Sequence, residues 1–181
     1  MESSGIKPDT IASIMPRIVY LSLGSNVGNR EAQLRDAQVR LSAVGRVIAL
    51  SSFYETEPVE FTRQPWFLNS GVAIETNKTP QQLMAAILRI EEEMGRRRIQ
   101  KKGPRSIDID ILLFADAIME SNELTIPHPA MHQRRFVLEP LAEIAPEALH
   151  PVFKKTIREL LHELPEGQAV RRVPHISTAN D

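Results

Sequence analysis

Two acids separated by a single residue, Asp108 and Asp110, sit in an otherwise apolar run, Ser106-Ile107-Asp108-Ile109-Asp110-Ile111-Leu112-Leu113-Phe114. Alternation with a period of two predicts a strand with Ile107, Ile109, Ile111 and Leu113 on one face and both carboxylates on the other. The β-branched residues and the Gly103-Pro104 turn before them agree. Residues two apart on a strand lie roughly 7 Å apart. At that distance two carboxylates repel by about 0.6 kcal/mol in water and several-fold more when half buried. Such a strand either guards a sheet edge with solvated charge or holds a cation. The preceding ten residues favour the cation: Arg96, Arg97, Arg98, Lys101, Lys102 and Arg105 place six positive charges before the strand. Acids facing a basic loop suit a magnesium-bound polyphosphate, the carboxylates holding metal and the loop holding phosphate oxygens.

The composition makes that basic loop a local feature. The chain has 181 residues, 42% apolar content and a net charge of −1, enough for one compact domain. A neutral protein with one basic loop suits a small anionic ligand, since a nucleic-acid track needs a wider basic face. With no cysteine, disulfides, zinc-thiolate sites and thiol nucleophiles are excluded. No apolar run is long enough to span a bilayer. Residues 1–16 carry Glu2 and Asp9 without a continuous apolar core, so they read as a flexible extension and not as a secretory signal. A soluble, cytoplasmic, monomeric protein is expected, with a domain over 17–164 and a polar tail over 165–181.

The elements that must position the acids follow in order. Arg17 to Leu23 predicts a first strand, and Gly24-Ser25-Asn26-Val27-Gly28-Asn29 predicts a turn with Asn29 as a helix cap. A helix follows to about Val44, with Leu34, Ala37, Val39 and Leu41 among its apolar residues. The glycines lack a Gly-Lys-Ser/Thr ending, so this is not a Walker-type loop. Val47–Tyr54 predicts a second strand, and the polar stretch Glu55–Pro65 a loop long enough to be functional. Trp66–Thr76 predicts a third strand, antiparallel to the second. Thr79-Pro80 starts a helix over Gln81–Met94 with Leu83, Ala86, Ile87 and Ile90 on its apolar stripe. Three acids close that helix, against the dipole. The order β-α-β-β-α-β is ferredoxin-like, an α+β sandwich with both helices on one face of a mostly antiparallel sheet. The aspartates would then face the other side. A short β excursion over Ala117–Ile126, a break at Pro127-His128-Pro129, apolar packing over Phe136–Ala145 and a helix over Thr156–Leu164 complete the C-terminal additions.

Several separated blocks resemble one enzyme family. Lys101-x-Gly103-Pro104-Arg105-x-x-Asp108-Ile109-Asp110-Ile111-Leu112 is similar to the signature of the 6-hydroxymethyl-7,8-dihydropterin pyrophosphokinases. Leu23-Gly24-Ser25-Asn26, Ser52-Phe53-Tyr54-Glu55-Thr56, Gln64-Pro65-Trp66-Phe67-Leu68-Asn69, Ile126-Pro127-His128-Pro129 and Arg134-Arg135-Phe136-Val137-Leu138 follow in the family's order. The likeness runs from about Arg17 to Ile157. It implies transfer of the terminal pyrophosphoryl unit of ATP to the hydroxymethyl oxygen of a reduced pterin, with release of AMP. The residue pattern by itself reaches a magnesium-nucleotide site and does not choose between the β- and γ-phosphorus.

The resemblance also implies roles. Asp108 and Asp110 would bind two magnesium ions, with Arg96 and Arg98 as catalytic arginines. Glu91, Arg98, Lys101, Arg105, Ile111, Thr125, His128 and Arg134 would contact ATP. Thr56, Pro58, Val59, Phe67, Asn69, Asp108 and Phe136 would contact the pterin, the two aromatics stacking on it and Asn69 and Thr56 reading its edge. Read without the family, Phe67 and Phe136 are core aromatics and His128 is a turn histidine satisfied by backbone. Asn69 is the unusual choice for a strand. The His128-x-x-x-His132 spacing suits a metal pair on a helix, but Pro129 argues against a regular helix there. Two positions depart from the family: Lys102 stands where some members carry tryptophan, and Glu60 where glycine is common. Both bear on how loops close over substrate. An RNA-binding module shares the topology, yet it needs aromatics where this chain places aspartates. A ligand-binding regulatory domain would have no need of a metal pair beside six cations.

Overall fold

A computed structural model describes residues 15–58, 63–95 and 106–174. The first half of the chain runs β1 (Arg17–Ser25), α1 (Arg30–Leu41), β2 (Arg46–Leu50), β3 (Tyr54–Thr56), β4 (Phe67–Thr76) and α2 (Pro80–Glu93). The second half runs β5 (Asp108–Phe114), β6 (Met119–Glu120), β7 (Thr125–Ile126), α3 (Arg135–Ile144), α4 (Ile157–Glu163) and β8 (Val170–Arg172). The β-α-β-β-α-β order is therefore present, with its second strand in two pieces. The main sheet is antiparallel and ordered β5-β1-β4-β3-β8, with β2 also beside β4.

Local chemistry explains the ends of the helices. The Asn29 side chain accepts from the Ala32 amide and starts α1. Thr79 and Gln82 form a reciprocal capping box, with Pro80 in the first turn of α2. Within α1 the buried residues are Leu34, Ala37 and Leu41, a three-four helical spacing. Val39 falls off that stripe and is exposed.

The strand expected over Val47–Tyr54 is two strands laid end to end along β4. β2 pairs with residues 72–75 and β3 with residues 67–69. Ser51 makes the handover: its N–H donates to the Gly71 carbonyl, and its hydroxyl accepts from the Gly71 N–H. Gly24 and Ser25, expected in a turn, instead end β1. Val170–Arg172, within the stretch expected as a polar tail, form the edge strand β8, which pairs with β3.

Two cores flank the sheet. Val19, Leu21, Leu23, Leu68, Val72, Ile74, Ile109 and Ile111 pack under α1 and α2. Leu112 and Leu113 pack on the opposite face with Met131 and residues of α3 and α4, among them Leu138, Leu141, Ile157 and Leu160. The two helices of the ferredoxin-like core thus share one face, and the C-terminal helices cover part of the other. Leu113 does not follow the expected alternation. Pairing passes from Leu21 opposite Ile111 to Tyr20 opposite Leu113, leaving Leu112 as an extra residue. That bulge turns Leu113 to the far core and Phe114 back under α1 and α2.

Candidate active site

The site lies on the sheet face opposite α1 and α2, at one end of the central strands. Residues directly opposed across antiparallel strands project to the same face. Asn69 is opposite Gly24, and Gly24 is opposite Asp108. Asn69 and Asp108 therefore stand on one face, two strand spacings or roughly 10 Å apart, with a glycine between them. Asp110 is opposite Ser22 on the next row of that face, and Thr56 is opposite Phe67 on the row beyond Asn69. Period-two alternation holds over this stretch, since Ile109, between the acids, packs in the core under α1 and α2. Both aspartates are half buried, on one side of the sheet and not enclosed by aliphatic side chains.

The sequence reads Gly24 as turn chemistry and gives it no role in the site. A methyl group at its Cα would lie 2.7 Å from the Asn69 Oδ1 and 3.7 Å from the Phe67 ring. The glycine leaves a flat floor between amide and carboxylate, where a planar ligand can lie. Its signal was available only in register with β4 and β5.

The Asn69 amide is held from one side. Its Nδ2 donates to the Thr56 hydroxyl in a short hydrogen bond, and both residues are buried, 4% and 1% exposed. The bond directs Oδ1 over Gly24 as an acceptor. Pro58, next along from Thr56, is also buried, while Phe67 is half buried.

Near Asp108 stand His128 and Arg134. The His128 N–H donates to the Leu112 carbonyl, and its Nδ1 accepts from the Ala130 amide. The turn role expected from the residues alone is therefore present. It also places the proton of the neutral ring on Nε2. Burial pushes the His128 imidazole down to about 4, helped by the Arg134 cation and opposed by the Asp108 carboxylate. His128 is thus neutral near pH 7, within electrostatic reach of Asp108 and Arg134. The Arg134 guanidinium stands 5.6 Å from the centroid of the Phe136 ring, and Phe136 opens α3 at the margin of the far core.

Three other expected residues have clear positions. Glu91, 3% exposed, lies in the last turn of α2 and accepts from the Ile109 N–H at 3.1 Å. It thereby satisfies an edge amide of β5 lying between the two aspartates. Ile111 is 3% exposed beneath the helices, so a ligand on the aspartate face meets its main chain only. Thr125 lies in β7, opposite Glu120, in the ribbon beside β5. Val59, Arg96, Arg98, Lys101 and Arg105 lie outside the described residues, as do Glu60 and Lys102.

Two carboxylates on one face suit a hard cation. Magnesium takes one or two protein carboxylates and completes its octahedron with water and substrate phosphates. Among the described residues no group of three acids, histidines or cysteines converges on a metal position. That donor set fits an ion shared with a bound polyphosphate better than one held by protein alone. His132 belongs elsewhere: its ring contacts Phe153 and His150. No helix among the described residues is long and apolar enough to cross a membrane.

Comparison with known proteins gives a consistent result. Residues 20–146 match the family model described as 7,8-dihydro-6-hydroxymethylpterin-pyrophosphokinase. A 2-amino-4-hydroxy-6-hydroxymethyldihydropteridine pyrophosphokinase of Methylorubrum extorquens is 45% identical over 82% of this chain and 94% of its own. The protein of that name from Bacillus subtilis is 47% identical over 72% of this chain and 79% of its own. The folic acid synthesis protein fol1 of Schizosaccharomyces pombe is 43% identical over 86% of this chain, which spans only 21% of that longer protein. Among solved structures, wild-type Plasmodium falciparum HPPK-DHPS superposes with a TM-score of 0.65 at 19% identity. It covers 82% of this chain and 44% of its own, a likeness of fold.

Proposed function

Because the chain belongs to the 7,8-dihydro-6-hydroxymethylpterin-pyrophosphokinase family, we propose that it is a pyrophosphokinase of folate biosynthesis. It transfers the terminal pyrophosphoryl group of ATP to the hydroxymethyl oxygen of 6-hydroxymethyl-7,8-dihydropterin and releases AMP. The observation that carries this reading is the row Asn69–Gly24–Asp108, with Asp110 on the same face. An amide acceptor, a flat floor and a carboxylate pair follow one another in the order a heterocycle, its hydroxymethyl arm and a phosphate chain require.

The residues divide the work. Asn69 Oδ1, oriented by Thr56, accepts from the amino and ring N–H groups of the pterin. Phe67 and Phe136 stack on its faces, with Pro58 and Val59 lining the pocket. Asp108 and Asp110 would hold two magnesium ions brought with the nucleotide, which would supply neutralisation of phosphate charge and a lower pKa for the attacking hydroxyl. His128, neutral at pH 7 with its proton on Nε2, donates to a phosphate oxygen beside the permanent charge of Arg134. Arg96, Arg98, Lys101 and Arg105 grip the remaining phosphate oxygens and stabilise charge moving onto the AMP leaving group. Glu91 keeps β5 in place beneath the nucleotide through the Ile109 amide. Ile111 and Thr125 border the base.

The reaction tests the reading directly. The protein is incubated with Mg-ATP, with and without the hydroxymethyl dihydropterin, and the nucleotides are resolved. AMP that forms only with pterin is the expected result. ADP would mean γ-phosphoryl transfer, and no turnover would return the protein to the binding modules.

A further inference from the structure

Glu57 directly follows Thr56, and all three of its polar groups are held by residues more than a hundred positions away. Its N–H donates to the Ala169 carbonyl at 3.1 Å. Its carboxylate accepts from the Ala169 N–H at 3.3 Å. Its carbonyl accepts from the Gln168 side-chain amide at 2.6 Å. Immediately beyond, β8 pairs Val170, Arg171 and Arg172 with Thr56, Glu55 and Tyr54. The Val173 N–H closes the ribbon on the Phe53 carbonyl at 2.8 Å. Arg171 reaches Glu55 at 2.8 Å.

β3 has three residues and needs this support. A strand that short has few ladder bonds of its own, and without β8 its outer edge would be bare. Its last residue, Thr56, is the partner that orients the Asn69 amide. Any play at Glu57 passes through one peptide unit to Thr56, and through one hydrogen bond to Asn69. The family match ends at residue 146, so residues 168–173 lie outside the stretch that carries the family's motifs, while the Phe53–Glu57 segment they hold lies within it.

We propose that residues 168–173 are a positioning element for the pterin subsite, with Gln168 and the Ala169 amide holding Glu57, and through it Thr56, in register. Gln168 is a positioning residue: it touches neither substrate, and it acts on the Asn69 acceptor through Glu57 and Thr56. The subsite named here rests on the pyrophosphokinase reading above. The clamp itself does not.

Full-length Gln168→Ala and Ala169→Pro decide the matter in two measurements. The first is amide exchange at Glu57 and Thr56 in the free protein. The second is a steady-state comparison of KM for the dihydropterin against KM for ATP, with melting midpoints recorded alongside. The expected result is exchange at Glu57 faster by about tenfold. With it, KM for the pterin rises about three- to tenfold, the weight of one or two hydrogen bonds, while KM for ATP stays within about twofold. Unchanged exchange at Glu57 in both variants would overturn the clamp. Both KM values rising together, in step with a lowered melting midpoint, would reduce it to ordinary structural support. If the wild-type protein forms no AMP, the pyrophosphokinase reading fails while the exchange measurement still judges the clamp.

Discussion

Asp110 and Gly24 serve the same face of the sheet in opposite ways, one by adding charge and the other by adding nothing. Asp110 stands beside a second carboxylate, so Asp110→Ala relieves a repulsion while removing a proposed metal ligand. Turnover in that variant is expected to fall at least about a hundredfold, with the melting midpoint unchanged or raised. A variant that unfolds, or that keeps wild-type specific activity when folded, counts against the metal assignment. Gly24→Ala acts on the proposed pterin side. Its methyl group would press on the Asn69 Oδ1, displacing the acceptor from its place over the floor. KM for the pterin should rise about tenfold or more, the cost of an acceptor moved out of hydrogen-bond range, with a smaller change in KM for ATP. Equal KM values in both proteins would show that the floor is not used.

The helices act on the site by holding strand ends. The last turn of α2 carries Glu91, whose carboxylate takes the Ile109 amide and fixes the edge strand between its two acids. α3 can lie close to β4 because Gly71 has no side chain; a methyl there would lie 3.3 Å from the Pro140 backbone. From that helix Glu143 accepts from the Tyr54 hydroxyl at 2.6 Å and from the Ser52 amide and hydroxyl, and Arg172 lies 3.4 Å away. Burial works against its charge, yet the Tyr54 and Ser52 hydrogen bonds and the Arg172 cation hold its carboxyl below the usual range. Stability from Glu143 is therefore present above the ordinary carboxylate pKa and is lost as pH falls through the lowered one. Glu143→Ala is expected to lose about 2 kcal/mol, or about 4–8 °C in melting midpoint for a domain of this size. The deficit should narrow toward pH 3. A midpoint within a degree of wild type at pH 7 would show the cluster to be solvated and without weight.

At the scale of the molecule, a second group that titrates lies inside the C-terminal additions. His150 is 3% exposed, and its Nδ1 accepts from the Val152 and Phe153 amides. Its ring stacks on Phe153 at 4.5 Å and meets His132 edge-on. Burial, and then the neighbouring His132, lower its pKa from the ordinary 6.5. The unfolded chain then binds the proton more readily, so stability is full above about 6.5 and falls as the pH drops below it. The melting midpoint is expected to decline between pH 7 and pH 5. The decline should be shallower in His150→Asn, where an amide oxygen can accept in place of the ring nitrogen. Identical slopes would assign the acid sensitivity to other groups.

The order of elements and the placement of both acids on one face were legible in the sequence, because strand alternation and helix capping are local and a β-X-β side chain has only two directions to choose from. Asn29, Thr79-Pro80 and the alternation from Ile107 to Ile111 needed no partner to be read. Leu113 was misplaced because a bulge is a property of a strand pair. Gly24 read only as part of a turn and a motif block, because its value in the site lies in having Asn69 on one side and Asp108 on the other. Val170–Arg172 read as tail, since an exposed polar edge strand has no apolar signature and becomes a strand only when β3 is there to accept it. Short-range geometry therefore declared the acids and their strand. The floor, the clamp and the second core exist only once strands distant in the chain lie side by side, about 5 Å apart.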